Sequence, residues 1–295
     1  MRSYYPLLLC FLIDVAQTIA QPDFPKLSFE AGLGAGGMNC LTDLGGNKGR
    51  QDFLLRDINA NHTRAAATLY AVLKYKSRFA LRFGFYYGSV SGADYSLKKT
   101  DPDLTGRYGR NLSFRSGITE AHLAIEWRVF QDWWYGDDGV NIFKASLLGG
   151  LGYFHFNPRT RWNNQWVNLY GLRLEGQGFE EYPHLKAYRR TQVNIPVGII
   201  VSRGFTNGTN IGIELIYRYL FTDYLDDVSG RYIDPSLFYK YLDPVNARLA
   251  TQLQYRTREI MNSAVPVNQP RGNPKKNDAY FSLVLKLGVN LFPLL

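Results

Sequence analysis

At 295 residues, with 45% hydrophobic and 15% aromatic side chains, the chain has ample apolar surface for a folded body and falls outside the disordered class. Its formal net charge of +9 suits a phosphate-rich partner. The first residues read as an export signal, which excludes nucleic acid and leaves anionic lipid headgroups or lipopolysaccharide as the fitting partners.

That signal is "MRSYYPLLLCFLIDVAQTIAQ": one early positive charge, an apolar run from Pro6 to Ile13, and small residues near Ala20, where cleavage is expected. The domain reading is therefore a signal peptide over 1–20 and one barrel domain over 21–295. Loss of the signal removes Cys10 and leaves Cys40 alone, so no internal disulfide is expected. No later apolar run approaches the roughly 18 residues of a spanning helix. A membrane-spanning form of this chain would have to cross as strands.

Taken in chain order, a period of two recurs. Strands are expected at about 26–36, 64–75, 78–89, 113–129 and 140–156, then in "TQVNIPVGIIVS" (191–202), "NIGIELIYRYLF" (210–221) and "AYFSLVLKLGVNL" (279–291). In the last, Phe281, Leu283, Leu285, Leu287, Val289 and Leu291 share one face, against Ser282, Lys286, Gly288 and Asn290 on the other. Each of the eight strands reaches the roughly 9–11 residues needed to cross a bilayer at a tilt.

The connections alternate: 37–63, 90–112, 157–188 and 222–278 are long, whereas the joins near 76, 130–139 and 204–208 are short. Both chain ends fall on the short-turn side, as in an up-and-down outer-membrane barrel with external loops and periplasmic turns. Aromatics end the apolar face on both sides. Tyr87, Tyr153, Tyr217, Tyr219 and Phe221 lie toward the long loops, and Tyr75, Phe79 and Trp127 toward the short turns, with Trp133 and Trp134 in a turn. The expected fold is all-β, an eight-stranded antiparallel transmembrane barrel of outer-membrane type.

Eight strands leave a lumen that side chains just fill. Glu30, Arg82, Glu120, Glu126, Arg128, Lys144, Glu214, Arg218 and Lys286 fall on the polar face and are expected to plug it as an ion-paired network. A wide diffusion pore is not expected.

Several segments carry candidate chemistry. "FTDYLDDVSGRY" (221–232) crowds Asp223, Asp226 and Asp227 at the external rim, where they are read as a loop clamp. They would accept backbone donors or pair with Arg110, Arg115 or Arg231, with a calcium ion as the alternative compensation. No metal ligand set or cofactor is assigned. "GLGAGG" (32–37) lacks the helix that a phosphate-binding glycine motif needs, so close packing explains it better. His122 lies between Glu120 and Glu126 on the inward row and reads as a hydrogen-bonded plug residue. His62 and His184 fall in loops and His155 near the outer end of its strand, and nothing pairs them with a nucleophile, so no enzymatic activity is expected. "RGNPKKN" (271–277) reads as a solvated basic loop, with a lipopolysaccharide phosphate contact as the alternative. Within the longest loop, Asp243 caps a short helix with Pro244 in its first turn, and Val245, Leu249, Leu253 and Ile260 form its apolar stripe.

Taken together and in order, "RNLSFRSGITEAHLAIEW" (110–127), "GYFHFNPR" (152–159), "LEGQG" (174–178), "IPVG" (195–198) and "FTDYLDDVSGRY" resemble the Bacteroidetes family of outer-membrane β-barrel proteins that includes the PorG component of type IX secretion. The resemblance covers nearly the whole mature chain. It departs from the family at "NCLTDL" (39–44), where Cys40 and Thr42 stand in an expected Asn-Tyr-x-Gly-Asp-Leu stretch. The resemblance implies an outer-membrane barrel with a structural or interaction role, and secretion-machinery partners on the periplasmic side. An outer-membrane enzyme acting on lipid, or a narrow transport or binding barrel, are the alternatives.

Overall fold

A computed structural model of the chain describes residues 27–44, 60–75, 78–96, 105–130, 143–205 and 208–294. The signal peptide and the Trp133–Trp134 turn lie outside the described residues.

Eight long strands form the wall: β1 (Leu27–Leu41), β2 (Arg64–Tyr75), β3 (Phe79–Ala93), β4 (Ser113–Phe130), β5 (Lys144–Trp162), β7 (Thr191–Gly204), β8 (Thr209–Leu220) and β9 (Ala279–Leu294). Each pairs antiparallel with its neighbour in the chain, except that β6 (Gln165–Asn168) folds back on the outer end of β5 as a hairpin. The wall closes because β1 pairs with β9 as well as with β2, in register from Leu41 opposite Ala279 down to Leu27 opposite Leu294. One irregularity interrupts it, at Phe29 and Glu30.

The alternation holds with the apolar row outside. Leu151 is 70% exposed and Leu285 62%, whereas Arg82, Glu120, Glu214 and Arg218 are fully buried. This is inverted relative to a soluble barrel, and in water so wide an apolar belt would drive association. Tyr75 faces Phe79, and Phe79 faces Trp127, as an aromatic band toward the short turns. Tyr87, Tyr153, Tyr219 and Phe221 stand exposed toward the long loops, with Tyr217 half-buried edge-on against Tyr219.

Inside, ion pairs cross from wall to wall. Arg82 on β3 reaches Glu214 on β8 at 2.5 Å and Glu126 on β4 at 2.9 Å. Arg218 on β8 meets Glu120 on β4 at 3.0 Å, and Glu120 also accepts from Tyr280 at 2.7 Å and contacts His122 at 2.9 Å. Tyr86 donates to Glu214. Glu30 pairs with Lys74 and, at 3.9 Å, with Lys286. Aromatic faces cover the remaining cationic surface: Arg82 and Lys286 each lie 4.3 Å from the centre of the Tyr70 ring, and Arg218 lies 4.6 Å from Tyr86. Gly32 is required here, because a Cβ would collide with the Tyr70 phenol and the Leu287 carbonyl. Arg128 and Lys144 lie half-buried at the short-turn end rather than in this sealed centre.

Two features differ from the sequence reading. The strands run further outward than their periodicity marks, to Leu41, Ala93 and Trp162. The 157–188 connection beyond β6, for which no structure is expected from the sequence, joins 222–278, whose length and helix do lead one to expect a cap over the barrel mouth, in a single folded cap. These differences have one cause. Above the membrane band the inward row turns apolar, at Met38, Val90, Phe114, Phe154 and Phe156, and packs against cap residues Leu174, Phe179, Leu225, Val228, Phe238 and Leu253. Besides a helical turn α1 (Thr105–Arg110), the cap contains α2 (Ser236–Tyr241) and α3 (Pro244–Leu253). Asp243 caps α3 as expected, accepting from the amides of Val245 at 3.0 Å and Asn246 at 3.2 Å. The buried stripe differs: Ala247, Ala250 and Leu253 face inward, Leu249 is half-buried, and Val245 and Ile260 are exposed. Small residues win because α3 lies close against the cap core.

The cross-lumen pairs lead to one prediction. Replacing Glu214 with alanine leaves the buried Arg82 guanidinium with Glu126 as its one remaining carboxylate and takes the acceptor from the Tyr86 hydroxyl, which costs on the order of 3–5 kcal/mol. The midpoint of urea unfolding, followed by the electrophoretic mobility of the folded barrel, is expected to fall accordingly. An unchanged midpoint would show that the pair carries no structural weight.

Candidate functional site

The aspartates of "FTDYLDDVSGRY" follow β8 directly, and Phe221 is the last outward aromatic before them. The chain then dives under the cap. Asp223 is 6% exposed, Asp226 0% and Asp227 1%, so the knot is an interior feature and not a solvated rim. The burial brings in three further carboxyl groups from distant segments: Asp43 after β1, Glu175 in the 157–188 segment, and Asp278 just before β9, all buried.

Backbone amides supply much of the compensation. Asp226 accepts from Val228 at 2.8 Å and from Leu44 at 3.1 Å, which ties the β8 exit to the β1 exit. Asp278 accepts from the Leu225 amide at 2.8 Å, and Asp43 from the Asn273 amide at 2.7 Å. Asp227, in the left-handed conformation at φ 66°, accepts from the Tyr188 hydroxyl at 2.6 Å. Glu175 gathers the amides of Ser229 and Gly230 at 2.9 and 2.8 Å.

Of the expected cations Arg110 lies beside the knot, near Asp43 and Asp226, whereas Arg115 and Arg231 bond elsewhere. Arg110 is engaged by Asp94 at 2.8 and 2.9 Å and donates to the carbonyls of Arg271 and Asp43. Arg115 donates to the Ser89 hydroxyl, and Arg231 to the Asn268 carbonyl. The guanidinium that enters the knot belongs to Arg271, which the sequence places at the head of a solvated loop. It is 3% exposed, pairs with Glu175 at 2.9 Å, and donates to the Asp227 carbonyl at 2.5 Å. The signal for it was weak: a lone arginine before Gly-Asn-Pro, with two lysines after it that remain outside.

Compensation is incomplete. Neither carboxylate oxygen of Asp223 makes a well-formed hydrogen bond, and one oxygen each of Asp227 and Asp278 is also without one. Burial pushes the Asp223 carboxyl up to about 9, with the nearby Asp226 and Asp43 charges adding to it. Burial, then Asp43, raises Asp226 to about 8. Burial raises Asp227 to about 7 against the pull of Arg271, and raises Asp278 well above the usual carboxylate range. Among the described residues, no group of three or more His, Cys, Asp or Glu side chains is arranged to hold a metal ion. Backbone amides, the Tyr188 hydroxyl, Arg271 and the nearby Arg110 are the compensating groups in the arrangement described, and the residual charge favours protonation.

The remaining sequence candidates are dispersed. His62 is buried against the Ser96 hydroxyl at 3.0 Å, and His184 is exposed. His155 faces outward and contacts the Thr191 hydroxyl at 2.8 Å. His122 sits in the lumen on Glu120, 5.2 Å from the Tyr86 ring. Cys40 lies half-buried at the rim with its thiol 3.7 Å from the Ser91 carbonyl, and burial raises its pKa.

No family model and no curated protein matches the chain. Among solved structures, Neisserial surface protein A aligns over 90% of this chain and 99% of its own, at 10% identity and a TM-score of 0.38. A major outer membrane protein from Thermus thermophilus aligns over 90% and 99%, at 12% identity and a TM-score of 0.36. The N-terminal β-barrel domain of Pseudomonas aeruginosa OprF aligns over 90% and 98%, at 7% identity and a TM-score of 0.34. At these values the assignment to a closed eight-stranded barrel rests on the strand pairing itself.

The raised aspartates predict a pH-dependent cap. Each carboxyl takes up its proton at a higher pH in the closed cap than in an opened loop, where an aspartate titrates near 4. The closed form therefore binds more protons. Its stability is greatest below about pH 4 and is lost progressively as the pH rises through the 7 to 9 range of Asp227, Asp226 and Asp223. Limited proteolysis within 222–278 is expected to speed up from pH 5 to pH 9 while the barrel stays intact, and Asp223→Asn should flatten the rise. Glu175→Ala, which strips Arg271 of its partner, should open the cap at every pH, at a cost of about 3–5 kcal/mol.

Proposed function

We propose that the protein resides in the outer membrane as a structural and interaction component rather than an enzyme, and that it acts as a PorG-like part of a type IX secretion assembly. The observation that carries the first half is the apolar belt, bounded by aromatics on both sides, around a barrel whose lumen is filled by ion pairs. Such a surface is stable against hydrocarbon and not against water. A lumen crossed by Arg82–Glu214 and Arg218–Glu120 favours a role at the rims over passage through the centre.

Support for the secretion role comes from the ordered set of motifs shared with the Bacteroidetes family. Three of those segments, "RNLSFRSGITEAHLAIEW", "LEGQG" and "FTDYLDDVSGRY", meet in the rim assembly through Arg110, Glu175 and Asp226–Asp227. Periplasmic secretion proteins are the partners this reading names, with outer-membrane lipid and lipopolysaccharide around the wall. The lipid-enzyme reading has less support: His155 contacts Thr191, but no carboxylate is paired with it among the described residues.

Crosslinking in intact cells followed by purification of the full chain from outer membranes is expected to recover periplasmic secretion proteins, and gene deletion to abolish export of cargo. Recovery of lipid and barrel-insertion machinery alone would sink the secretion role. Fractionation away from the outer membrane would sink the location as well.

A further inference from the structure

The outward row of β2 to β6 changes character just above Tyr87. Below that level it is apolar, with Leu69, Phe83, Phe85, Leu123 and Leu151 exposed. Above it the wall recedes into a depression of about 540 Å³ floored by Ala65, Ala67 and Gly117 and bounded by Tyr87, Trp166, Arg115 and Arg159. Gly117 pairs with Ser89 on one side and Asn157 on the other, and a Cβ at Gly117 would meet nothing within 4 Å. The protein's own packing does not fill that space.

The charges above the floor are arranged against their own stability. Arg115 and Arg159 are directly opposed in the β4–β5 register, and both are exposed. Like charges in this position repel and destabilise the pair unless an anion lies between them. Arg161, opposite Trp166 in the β5–β6 hairpin, adds a third exposed guanidinium. Among the described residues none of the three forms an ion pair, and Arg115 donates only to the Ser89 hydroxyl, at 3.2 Å. No Asp or Glu occurs in β2, in β3, in β4 up to Thr119, in β5 beyond Leu151, or in β6.

We propose that this depression is a binding site for the phosphate of an outer-leaflet phosphoglycolipid. The phosphate would bridge Arg115 and Arg159, the sugar would lie on Gly117 and against Trp166, and the acyl chains would descend past Tyr87 over the apolar wall. Guanidinium forks match phosphate oxygens in charge and geometry. The height of the site favours a lipid source over a free anion, because the pocket opens sideways on the wall at the level of the upper aromatic band and not on the cap. The inference rests on the outer-membrane reading above and adds the lipid contact to it.

Native mass spectrometry of the full chain in detergent tests it with bis-phosphorylated lipid A, its dephosphorylated counterpart and inorganic phosphate as probes. Bis-phosphorylated lipid A is expected to bind at least ten-fold more tightly than the dephosphorylated form. The double variant Arg115→Ala/Arg159→Ala should lose that preference, on the scale of charge-assisted hydrogen bonds. Gly117→Trp, which fills the depression while leaving both arginines in the sequence, should weaken binding similarly and is the decisive variant if the arginine pair proves necessary for folding. Equal binding of both lipids, or full displacement by millimolar inorganic phosphate, would overturn the proposal. Because the readout is made in detergent, its failure is separable from a failure of the fractionation that tests the location.

Discussion

Closure of the wall by pairing of β1 with β9 is the constraint on which everything else depends. A strand in hydrocarbon has no water to satisfy its amides and carbonyls, and each one left open costs several kcal/mol. The first and last strands must therefore find each other, and they do so along almost their whole length. Closing eight strands fixes a bore about as wide as the side chains that fill it. The polar row is thereby forced into a space with little room for water, where charges persist only in pairs. The Arg82–Glu214 and Arg218–Glu120 struts follow from strand number as much as from sequence.

The same row changes solvent along its length. Through the membrane it faces a polar lumen, while its outward neighbours face lipid. Beyond the upper aromatics the outward face meets water and the inward face meets the cap, so the apolar residues change sides: Met38, Val90, Phe114 and Phe156 point inward. A protein built this way has two cores of opposite character stacked on one axis, an ionic one in the membrane and an apolar one above it. The aspartate knot lies in the upper region, where amides that no longer pair between strands become its donors.

Legibility in the sequence follows from the same geometry. The eight strands, their facing and the long-short alternation of connections could be read because a period of two is a local signal repeated at every residue of "NIGIELIYRYLF" or "AYFSLVLKLGVNL". The outer ends of β1, β3 and β5 could not be read, since the inversion of facing at Met38, Val90 and Phe156 erases the polar row that marks a strand. The rim cluster was visible as an acidic run, but its burial was not. Burial depends on Asp43, Glu175 and Asp278, which are distant in sequence, and on Arg271, whose local context is that of a solvated loop. The opposed pair Arg115 and Arg159 needed the β4–β5 register, which neither strand reveals alone. The Ala247–Ala250–Leu253 face of α3 was hidden by the larger Val245 and Ile260, because hydrophobic size is a poor guide where a helix must approach closely.

The two cores also differ in how completely their charges are balanced, and that difference decides which part of the molecule can move. In the lumen, Glu120 and Glu214 each meet a guanidinium and a phenol, and Glu30 meets two ammonium groups. In the knot, Asp43, Glu175, Asp223, Asp226, Asp227 and Asp278 are buried with Arg110 and Arg271, and Arg110 is committed to Asp94 as well. The excess negative charge is carried by protons and backbone amides, which are weaker and more exchangeable than a guanidinium fork. Loosening of the knot would free the cap from the β1 and β8 exits while leaving every strand pair in place, because none of its hydrogen bonds belongs to the barrel ladder. The wall is thus held by bonds that solvent cannot replace, and the cap by bonds that pH can weaken. In a protein whose lumen is shut, that assigns conformational change to the outer rim.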